Sequence, residues 1–469
     1  MGYEYTNRAV AKCDRQNRNS GVYTRTLFGQ SIHENPVPVW TASREQDPFV
    51  TLKDPVSGKK IGIRKDMLSY GLVAFADPGG GKTNLLDIIV DRLLVTQEDN
   101  DIMVILDTKG DYYREFGRRI PLHACTVIGA GEEYRQITGC HNIFAEIMPR
   151  GKDGRLVYTR DSDVDALDIS KQLFQKMNSE TQPVFPAMAA QILAGVLIYF
   201  MRTYWRTDQK KLNNKELIGF LSGSTNAELK AVFGVAYMED YRNCMDYIAD
   251  KSHQTQGVNS YIGTILKEMF VGPFADSNPE KEFSMREIVT ASEKKVVFIE
   301  YDLKRGEALA PIYGVLIDCT LANALGGRQE KRNNVYVILD EMLLLTQKLN
   351  HLSNAMNFGR SQGVKILCGL QNFSGAVDIY GEYGAKRMLS TFQNLIAFRV
   401  SDFDTRQFIS NRFGLNYQNH SFSAQQNPVH IQREGHTVED WDILSLNMGE
   451  AIVSLKGEKP FLFSMTKYQ

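Results

Sequence analysis

The sequence predicts an α/β protein with a mostly parallel central sheet and an inserted all-helical domain. Short apolar runs rich in Val and Ile alternate with helical patterns along most of the chain, and such continuous runs are typical of parallel strands buried on both faces. Between about residues 145 and 290 the strand signals fade and helical stretches dominate. The predicted strands are Leu72–Ala76, Ile102–Leu106, Val296–Ile299, Val335–Leu339, Ile366–Leu370, Leu395–Val400 and Ile452–Leu455.

These patterns divide the chain into three parts. Residues 1–48 are polar and weakly periodic, which predicts an extended N-terminal arm. Residues 49–145 and 290–469 carry the sheet domain, and residues 146–289 form the all-helical insertion. A turn-like segment between two short apolar runs further predicts a small hairpin over Phe49–Ile63.

The composition is that of an ordinary soluble globular protein. Apolar residues make up 43% and charged residues 23% of the 469 positions, and 54 basic residues nearly balance 55 acidic ones. A polyanionic partner would therefore require folding or assembly to gather the basic groups on one surface. Six scattered cysteines and a polar N-terminus without a signal sequence predict a cytoplasmic protein.

One apolar segment, Gln182–Met201, is twenty residues long and carries no charge, which is the length of a membrane span. Two prolines, Gln191 and several small residues argue against a span. We interpret the segment as a buried core helix.

The pattern of Leu72–Val90 predicts a strand, then a glycine-rich turn that ends in a lysine, then a helix. Residues 76–83, ADPGGGKT, match the phosphate-binding loop G-x-x-x-x-G-K-[ST] except that Ala76 replaces the first glycine. Backbone N–H groups of Gly79, Gly80 and Gly81 could wrap phosphate oxygens, and the following helix presents its N-terminal dipole to the same charge. Lys82 would bridge the β- and γ-phosphates and Thr83 would hold Mg²⁺, so ATP and Mg²⁺ are the predicted cofactors.

A nucleotide hydrolase also needs a carboxylate at the end of a neighbouring strand. Asp340 and Glu341 follow the strand Val335–Leu339, where Asp340 would complete the Mg²⁺ shell and Glu341 would orient or deprotonate the attacking water. Gln371 ends the next strand and could sense the γ-phosphate. Taken alone, an Asp-Glu pair at a strand end occurs often by chance, and a polar residue that caps a strand is common.

Two further groups are weaker signals. Asp107–Asp111 closes the second strand, where doubly wound sheets bind ligands, but it fits a plain turn equally well. The spacing of His420, His430 and His436 matches no zinc pattern, and we interpret them as loop histidines.

Taken in order, these residues resemble the conjugative type IV secretion coupling ATPases, hexameric DNA translocases of the RecA-like additional-strand branch. The resemblance runs from about Ile61 to the C-terminus. It depends on GGGKT, DTKGDYYREFG, HNIF, FSMREIV, VVFIEYDLKRGEALAPIYGVLID, VYVILDEM and GRSQGVKILCGLQNFSGAVDIYGE, in that order.

The resemblance implies a RecA-like P-loop NTPase that moves DNA, with the relaxosome and a secretion channel or membrane-anchoring subunit as partners. It also implies that Arg360 acts as an arginine finger on the nucleotide of a neighbouring subunit, which requires a ring. Two departures stand out: family members typically begin with transmembrane helices whereas this chain begins with a polar arm, and Ala76 replaces a glycine.

The sequence is compatible with three functions. The first is an ATP-driven DNA motor that feeds a conjugative channel. The second is a related DNA motor for partition, end resection or packaging, which neighbouring genes would distinguish. The third is a nucleotide-gated adaptor that recruits cargo without translocation, which an ATPase insensitive to DNA would favour.

Overall fold

The computed structural model describes residues 23–32, 50–55, 58, 60–177, 184–248, 252–291, 293–326, 334–424 and 427–468. Its strands are β1 Tyr23–Phe28, β2 Val50–Lys53, β3 Lys60–Ile63, β4 Leu72–Phe75, β5 Ile102–Asp107, β6 Cys125–Gly129, β7 Cys140–His141, β8 Glu282–Phe283, β9 Lys295–Glu300, β10 Val335–Leu339, β11 Val364–Leu370, β12 Asn394–Phe398, β13 Leu415–Ala424, β14 Asn427–His436, β15 Glu450–Ser454 and β16 Phe461–Ser464.

The α-helices are α1 Lys65–Leu68, α2 Lys82–Thr96, α3 Asp111–Phe116, α4 Ile143–Ile147, α5 Arg160–Phe174, α6 Val184–Tyr204, α7 Asn214–Gly223, α8 Asn226–Gly234, α9 His253–Glu268, α10 Met285–Thr290, α11 Gly306–Gly326, α12 Leu352–Phe358, α13 Phe373–Tyr380, α14 Glu382–Ser390, α15 Phe403–Phe413 and α16 Asp440–Leu444. Short 3₁₀ segments lie between several of these elements. One of them, Ala236–Tyr247, occupies part of a stretch that the sequence predicts as helical.

The chain divides into two compact units, Met1–Glu98 with Tyr336–Leu343 and Met356–Gln469, and Asp99–Val335 with Leu344–Ala355. The main sheet of the described residues is mostly parallel and has nine strands. Six belong to the first unit, in the order β16-β15-β12-β4-β11-β10, and three to the second, in the order β5-β9-β6. This is the predicted α/β architecture.

In the first unit, strand β4 lies between β11 and β12, and both neighbours run parallel to it. Every residue of β4, β10, β11 and β12 is buried, which explains why their sequences are mostly apolar instead of alternating. All seven predicted strands are confirmed. The last of them, β15, pairs antiparallel with β12.

Other strands of the first unit lie outside the main sheet. Strands β2 and β3 form the predicted antiparallel hairpin, with Val50 opposite Ile63. Strand β1 comes from the predicted N-terminal arm and pairs antiparallel with β13, which in turn pairs with β14. The rest of residues 1–48, apart from 29–32, lies outside the described part of the chain.

The second unit contains the long helical stretch. Strands β7 and β8 pair in parallel, so the chain leaves and returns at adjacent positions. The described residues between these two strands form helices, turns and one isolated bridge. The predicted domain boundaries at 145 and 290 remain a prediction.

Two helices of the second unit, Val184–Tyr204 and Gly306–Gly326, are long and apolar enough to span a membrane by length and composition. Both lie mostly inside the fold, with 67% and 78% of their most apolar windows buried. In α6 the side chains of Ile192, Leu193, Val196 and Leu197 are fully or almost fully buried. This burial agrees with the interpretation of Gln182–Met201 as a core helix, although residues 182 and 183 are not described.

Candidate nucleotide-binding site

The glycine-rich loop connects β4 to α2 at the carboxyl end of the strand. Gly81 has φ 119° and directly precedes α2, a backbone conformation that a residue with a side chain rarely adopts. A Cβ at Gly81 would also lie 3.0 Å from the Phe398 ring. The loop therefore needs glycine here, and the free N–H groups of the first turn of α2 face it.

Ala76 at the first position of the loop is compatible with this geometry. Among the described residues, Thr346 is the only non-glycine residue with a positive φ, so Ala76 adopts an ordinary backbone conformation. Its N–H donates to the carbonyl of Leu370 at 3.2 Å, and its side chain is buried. The missing glycine introduces no backbone strain.

Asp77 anchors the loop to the segment after β12. Its N–H donates to the carbonyl of Arg399 at 3.0 Å. Its carboxylate accepts hydrogen bonds from the N–H of Ser401 at 3.0 and 3.1 Å and from the Ser401 hydroxyl. The loop is thus fixed on both sides, by β11 through Ala76 and by the end of β12 through Asp77.

Lys82 and Glu341 form a largely buried ion pair. The Nζ of Lys82 lies 2.5 Å from Oε2 of Glu341, and their side chains are 11% and 8% exposed. Burial raises the pKa of the Glu341 carboxyl above its ordinary value, while Lys82 partly opposes this shift. The second oxygen, Oε1, is buried and has no hydrogen-bond partner among the described residues.

Thr83 and Asp340 form a second pair beside the first. The Thr83 hydroxyl lies 3.4 Å from Oδ1 of Asp340, near the outer limit for a hydrogen bond. Both groups offer oxygen ligands, the type that Mg²⁺ prefers. The structure therefore brings Lys82, Thr83, Asp340 and Glu341 together at one end of the sheet of the first unit.

Gly369 is a residue of the site that the sequence analysis missed. It lies inside β11 opposite Ala74, and a Cβ there would lie 2.1 Å from the carbonyl oxygen of Asp340 and 2.6 Å from Cδ of Lys82. Only glycine leaves room beside β11 for the lysine side chain and the carbonyl of Asp340. The available signal was a glycine within an otherwise apolar strand, which often marks a close approach.

Gln371 and Arg360 make no hydrogen bond or ion pair to these four residues in the described part of the chain. Gln371 is exposed and directly follows β11, beside the start of the loop at Ala76. Arg360 is exposed in a 3₁₀ turn after α12, where its guanidinium lies 4.1 Å from the centre of the Tyr70 ring.

In the second unit, Asp107 has a structural role in its turn. Its carboxylate accepts hydrogen bonds from the N–H groups of Lys109, Gly110, Asp111 and Tyr113. Burial raises its pKa despite these donors. This geometry supports the turn interpretation of Asp107–Asp111.

Also in the second unit, Asp168, Asp318 and His351 place potential metal-ligating atoms within 4.8 Å of one another. These atoms already form hydrogen bonds. His351 Nδ1 lies 2.7 Å from Asp318, and Gln172 donates to both carboxylates at 2.8 Å. The bond to Asp318 raises the pKa of His351. We therefore interpret the cluster as a partly buried hydrogen-bond network.

The loop, the lysine and the paired carboxylates fit a nucleotide with its magnesium ion. Helix and loop N–H groups can donate hydrogen bonds to phosphate oxygens, and Thr83 and Asp340 offer oxygen ligands for Mg²⁺. Oε1 of Glu341 is buried and has no hydrogen-bond partner among the described residues. Fold and site together define a RecA-like P-loop NTPase.

Comparison with known families extends this assignment. Residues 59–430 match the family described as the type IV secretion-system coupling protein DNA-binding domain. The chain belongs to this family. A comparison with curated proteins gives no significant match.

Solved structures share the fold. The unbound bacterial conjugative coupling protein TrwBΔN70 matches with a TM-score of 0.74 at 19% identity, over 95% of this chain and 94% of that one. TrwB in complex with ADP and Mg²⁺ matches with a TM-score of 0.70 at 19% identity, over 95% and 94%. VirB4 of Thermoanaerobacter pseudethanolicus matches with a TM-score of 0.53 at 14% identity, over 91% and 98%.

Proposed function

We propose that this protein is an ATP-dependent DNA translocase that delivers DNA to a type IV conjugative secretion channel. The observation that carries the proposal is the ion pair between Lys82 and Glu341 beside Thr83 and Asp340, at a glycine loop in a chain of the coupling-protein family. That arrangement holds the groups that phosphoryl transfer needs. TrwB structures with ADP and Mg²⁺ and with a non-hydrolysable ATP analogue support ATP and Mg²⁺ as cofactors.

Each residue has a distinct task in this mechanism. Lys82 leaves Glu341 to bind the β- and γ-phosphates, which frees the carboxylate. Glu341, with its raised pKa and partnerless oxygen, then orients the attacking water and accepts its proton. Thr83 and Asp340 would hold the Mg²⁺, which would neutralise charge on the phosphates. Gln371 senses the γ-phosphate from its place beside the loop.

Arg360 acts in trans in this proposal. Its guanidinium is exposed and forms no ion pair with any described residue, so its charge is free to meet a phosphate. A finger of this kind completes the site only when subunits meet, and the proposal therefore includes a homo-oligomeric ring, a hexamer in the related motors. The relaxosome and the channel, or a subunit that anchors the ring at the membrane, are its partners.

The two other functions are distinguishable. A DNA motor for partition, packaging or processing would share the same site, whereas a cargo-recruiting adaptor would hydrolyse ATP at a rate that DNA does not change. The coupling-protein family match favours the conjugative motor.

The first test separates binding from chemistry. Lys82→Ala should abolish ATP turnover, because the phosphates lose their fixed cation. Glu341→Gln should bind ATP normally, since it frees Lys82 without adding bulk, and should turn over on the order of a hundredfold slower. ATPase assays with and without DNA, together with binding of a fluorescent nucleotide, measure both effects. Lys65→Ala, at an exposed ion pair with Glu98, serves as the control, and normal turnover in Lys82→Ala would remove the site assignment.

The second test addresses the trans role. Arg360→Ala should bind ATP but hydrolyse it on the order of a thousandfold more slowly. Mixing this variant with Lys82→Ala should restore part of the activity, because mixed interfaces combine an intact loop with an intact arginine. Turnover of the parent per subunit should rise with protein concentration. Full turnover by a monomer, or an Arg360 variant equal to the parent, contradicts the ring mechanism.

A further inference from the structure

Arg360 rests on an aromatic ring of its own subunit. The Cζ of Arg360 lies 4.1 Å from the centre of the Tyr70 ring, and Nζ of Lys456 lies 3.1 Å from the same centre. The face of an aromatic ring attracts cations through its quadrupole. Unlike a carboxylate, a ring orients a guanidinium without neutralising its charge, which is what an arginine that must meet a phosphate requires.

The backbone at Tyr70 is held firmly in place. The carbonyl of Tyr70 accepts the N–H of Gln393 at 2.9 Å. The buried side chain of Asn394 donates to the carbonyls of Gly71 and Met67 at 2.8 and 2.9 Å, and its own oxygen accepts the N–H of Lys456 at 3.0 Å. One buried amide thus connects the turn that carries Tyr70 to the loop that carries Lys456.

The helix that leads to Arg360 packs on the same turn. Gly71 has φ 67°, and a Cβ there would lie 2.2 Å from Cε of Met356 in α12. Gly359 is buried, and a Cβ there would lie 2.8 Å from Cβ of Val364 at the start of β11. These two close approaches constrain the backbone on both sides of Arg360. The Tyr70 ring and Arg360 are therefore held in a fixed arrangement.

We propose that Tyr70 is a positioning residue for Arg360, which holds the guanidinium ready for the nucleotide of the neighbouring subunit. This inference rests on the proposed trans role of Arg360. Tyr70 lies two residues before β4, the short strand whose other end carries the glycine loop. Within one subunit, the four residues of β4 therefore connect Tyr70, which contacts Arg360, to the nucleotide-binding loop.

The test uses the full-length protein with DNA and compares Tyr70→Leu, Tyr70→Phe and Arg360→Ala. Tyr70→Leu removes the ring face and should lower turnover roughly two- to fivefold, the range of an exposed cation–π contact, with nucleotide affinity unchanged. Tyr70→Phe keeps the ring and should recover most of that loss. Thermal unfolding of each variant verifies that the fold is intact.

A mixing experiment locates the defect. In an excess of Lys82→Ala subunits, almost every intact loop has a neighbour that supplies a normal Tyr70 and Arg360. Under these conditions Tyr70→Leu should turn over like the parent protein in the same excess. A defect that persists there would place the effect of Tyr70 on its own loop and overturn the positioning role.

The remaining outcomes separate the two proposals. If Arg360→Ala is slow but Tyr70→Leu equals the parent in isolation, the positioning role is wrong and the trans mechanism stands. The positioning role is also wrong if Tyr70→Leu slows turnover further in the Arg360→Ala background, because Tyr70 would then act without Arg360. If Arg360→Ala itself equals the parent, the trans mechanism fails and the role of Tyr70 fails with it.

Discussion

Burial raises the pKa of two carboxyl groups in this protein, Glu341 and Glu300, but their neighbours act on them differently. Glu341 is buried but faces Lys82 at 2.5 Å, so burial and the cation act against each other. Glu300, at the end of β9, is 3% exposed, and its nearest polar contact is the hydroxyl of Tyr134 at 2.7 Å. Burial, followed by the charge of Asp107, raises the pKa of Glu300 to about 8. Glu300 is therefore mostly protonated at neutral pH.

This state gives a testable pH dependence. Glu300 binds its proton more tightly in the folded chain than in the unfolded chain, where the pKa is about 4.5. Its stabilising contribution is present below pH 4.5 and is lost as the pH rises through about 8, at about 1.4 kcal/mol per pH unit at most.

Glu300→Gln mimics the protonated form and should remove this component. Unfolding midpoints of the parent should fall more steeply between pH 5 and pH 8 than those of Glu300→Gln. Glu115→Gln, at an exposed position, is the control and should follow the parent. Parallel curves for the parent and Glu300→Gln would show that Glu300 is ionised in the folded protein at neutral pH.

At the scale of elements, the site depends on how closely β10 and β11 approach. Gly369 lets the carbonyl of Asp340 and the stem of Lys82 pass next to β11. Interiors are close-packed, so one added methyl group must displace backbone or the lysine. Because Gly369 has no side chain, strand β11 leaves room for the side chain of Lys82.

Gly369→Ala should destabilise the protein by about 1–3 kcal/mol and weaken nucleotide binding, because Lys82 or Asp340 must move. The matched control is Gly219→Ala within α7, where an added Cβ meets no atom within 4 Å. That change should stabilise by about 0.4–1 kcal/mol. Thermal unfolding and fluorescent-nucleotide binding measure both variants. A Gly369→Ala protein with parental affinity would show that the strands separate without moving the site.

At the scale of the whole molecule, the proposed mechanism requires assembly. The formal net charge of −1 cannot by itself attract DNA, so DNA binding would require folding or assembly to gather basic groups on one surface. A motor that moves along any strand must bind the phosphate backbone and not read bases.

DNA affinity should therefore fall steeply with salt and differ little between unrelated sequences. Each neutralised phosphate of duplex DNA contributes about −0.9 to the slope of log K against log salt concentration. Fluorescence anisotropy with two unrelated duplexes, in buffers of increasing salt, measures the slope and the sequence dependence together. A sequence-specific footprint that survives high salt would instead indicate a regulator.

The sequence by itself determined the local features of this protein. These features are the seven apolar runs, the glycine loop before a helix and the two carboxylates after β10. Each lies within about a dozen consecutive residues. Its structure therefore depends on local effects: strand burial, the backbone freedom of glycine and the helix dipole. The α/β class and the four clustered residues of the site could therefore be predicted.

Only the tertiary structure decided the contacts between distant residues. Lys82 meets Glu341 from 259 positions away, and Arg360 meets Tyr70 on a turn that no motif marks. The pairing of β1 with β13 and the burial of the long apolar helix α6 also depend on partners far along the chain. Periodicity reports which face of an element is buried. It does not report which residues the element packs against. The contact between Arg360 and the Tyr70 ring depends on that packing and could not be predicted.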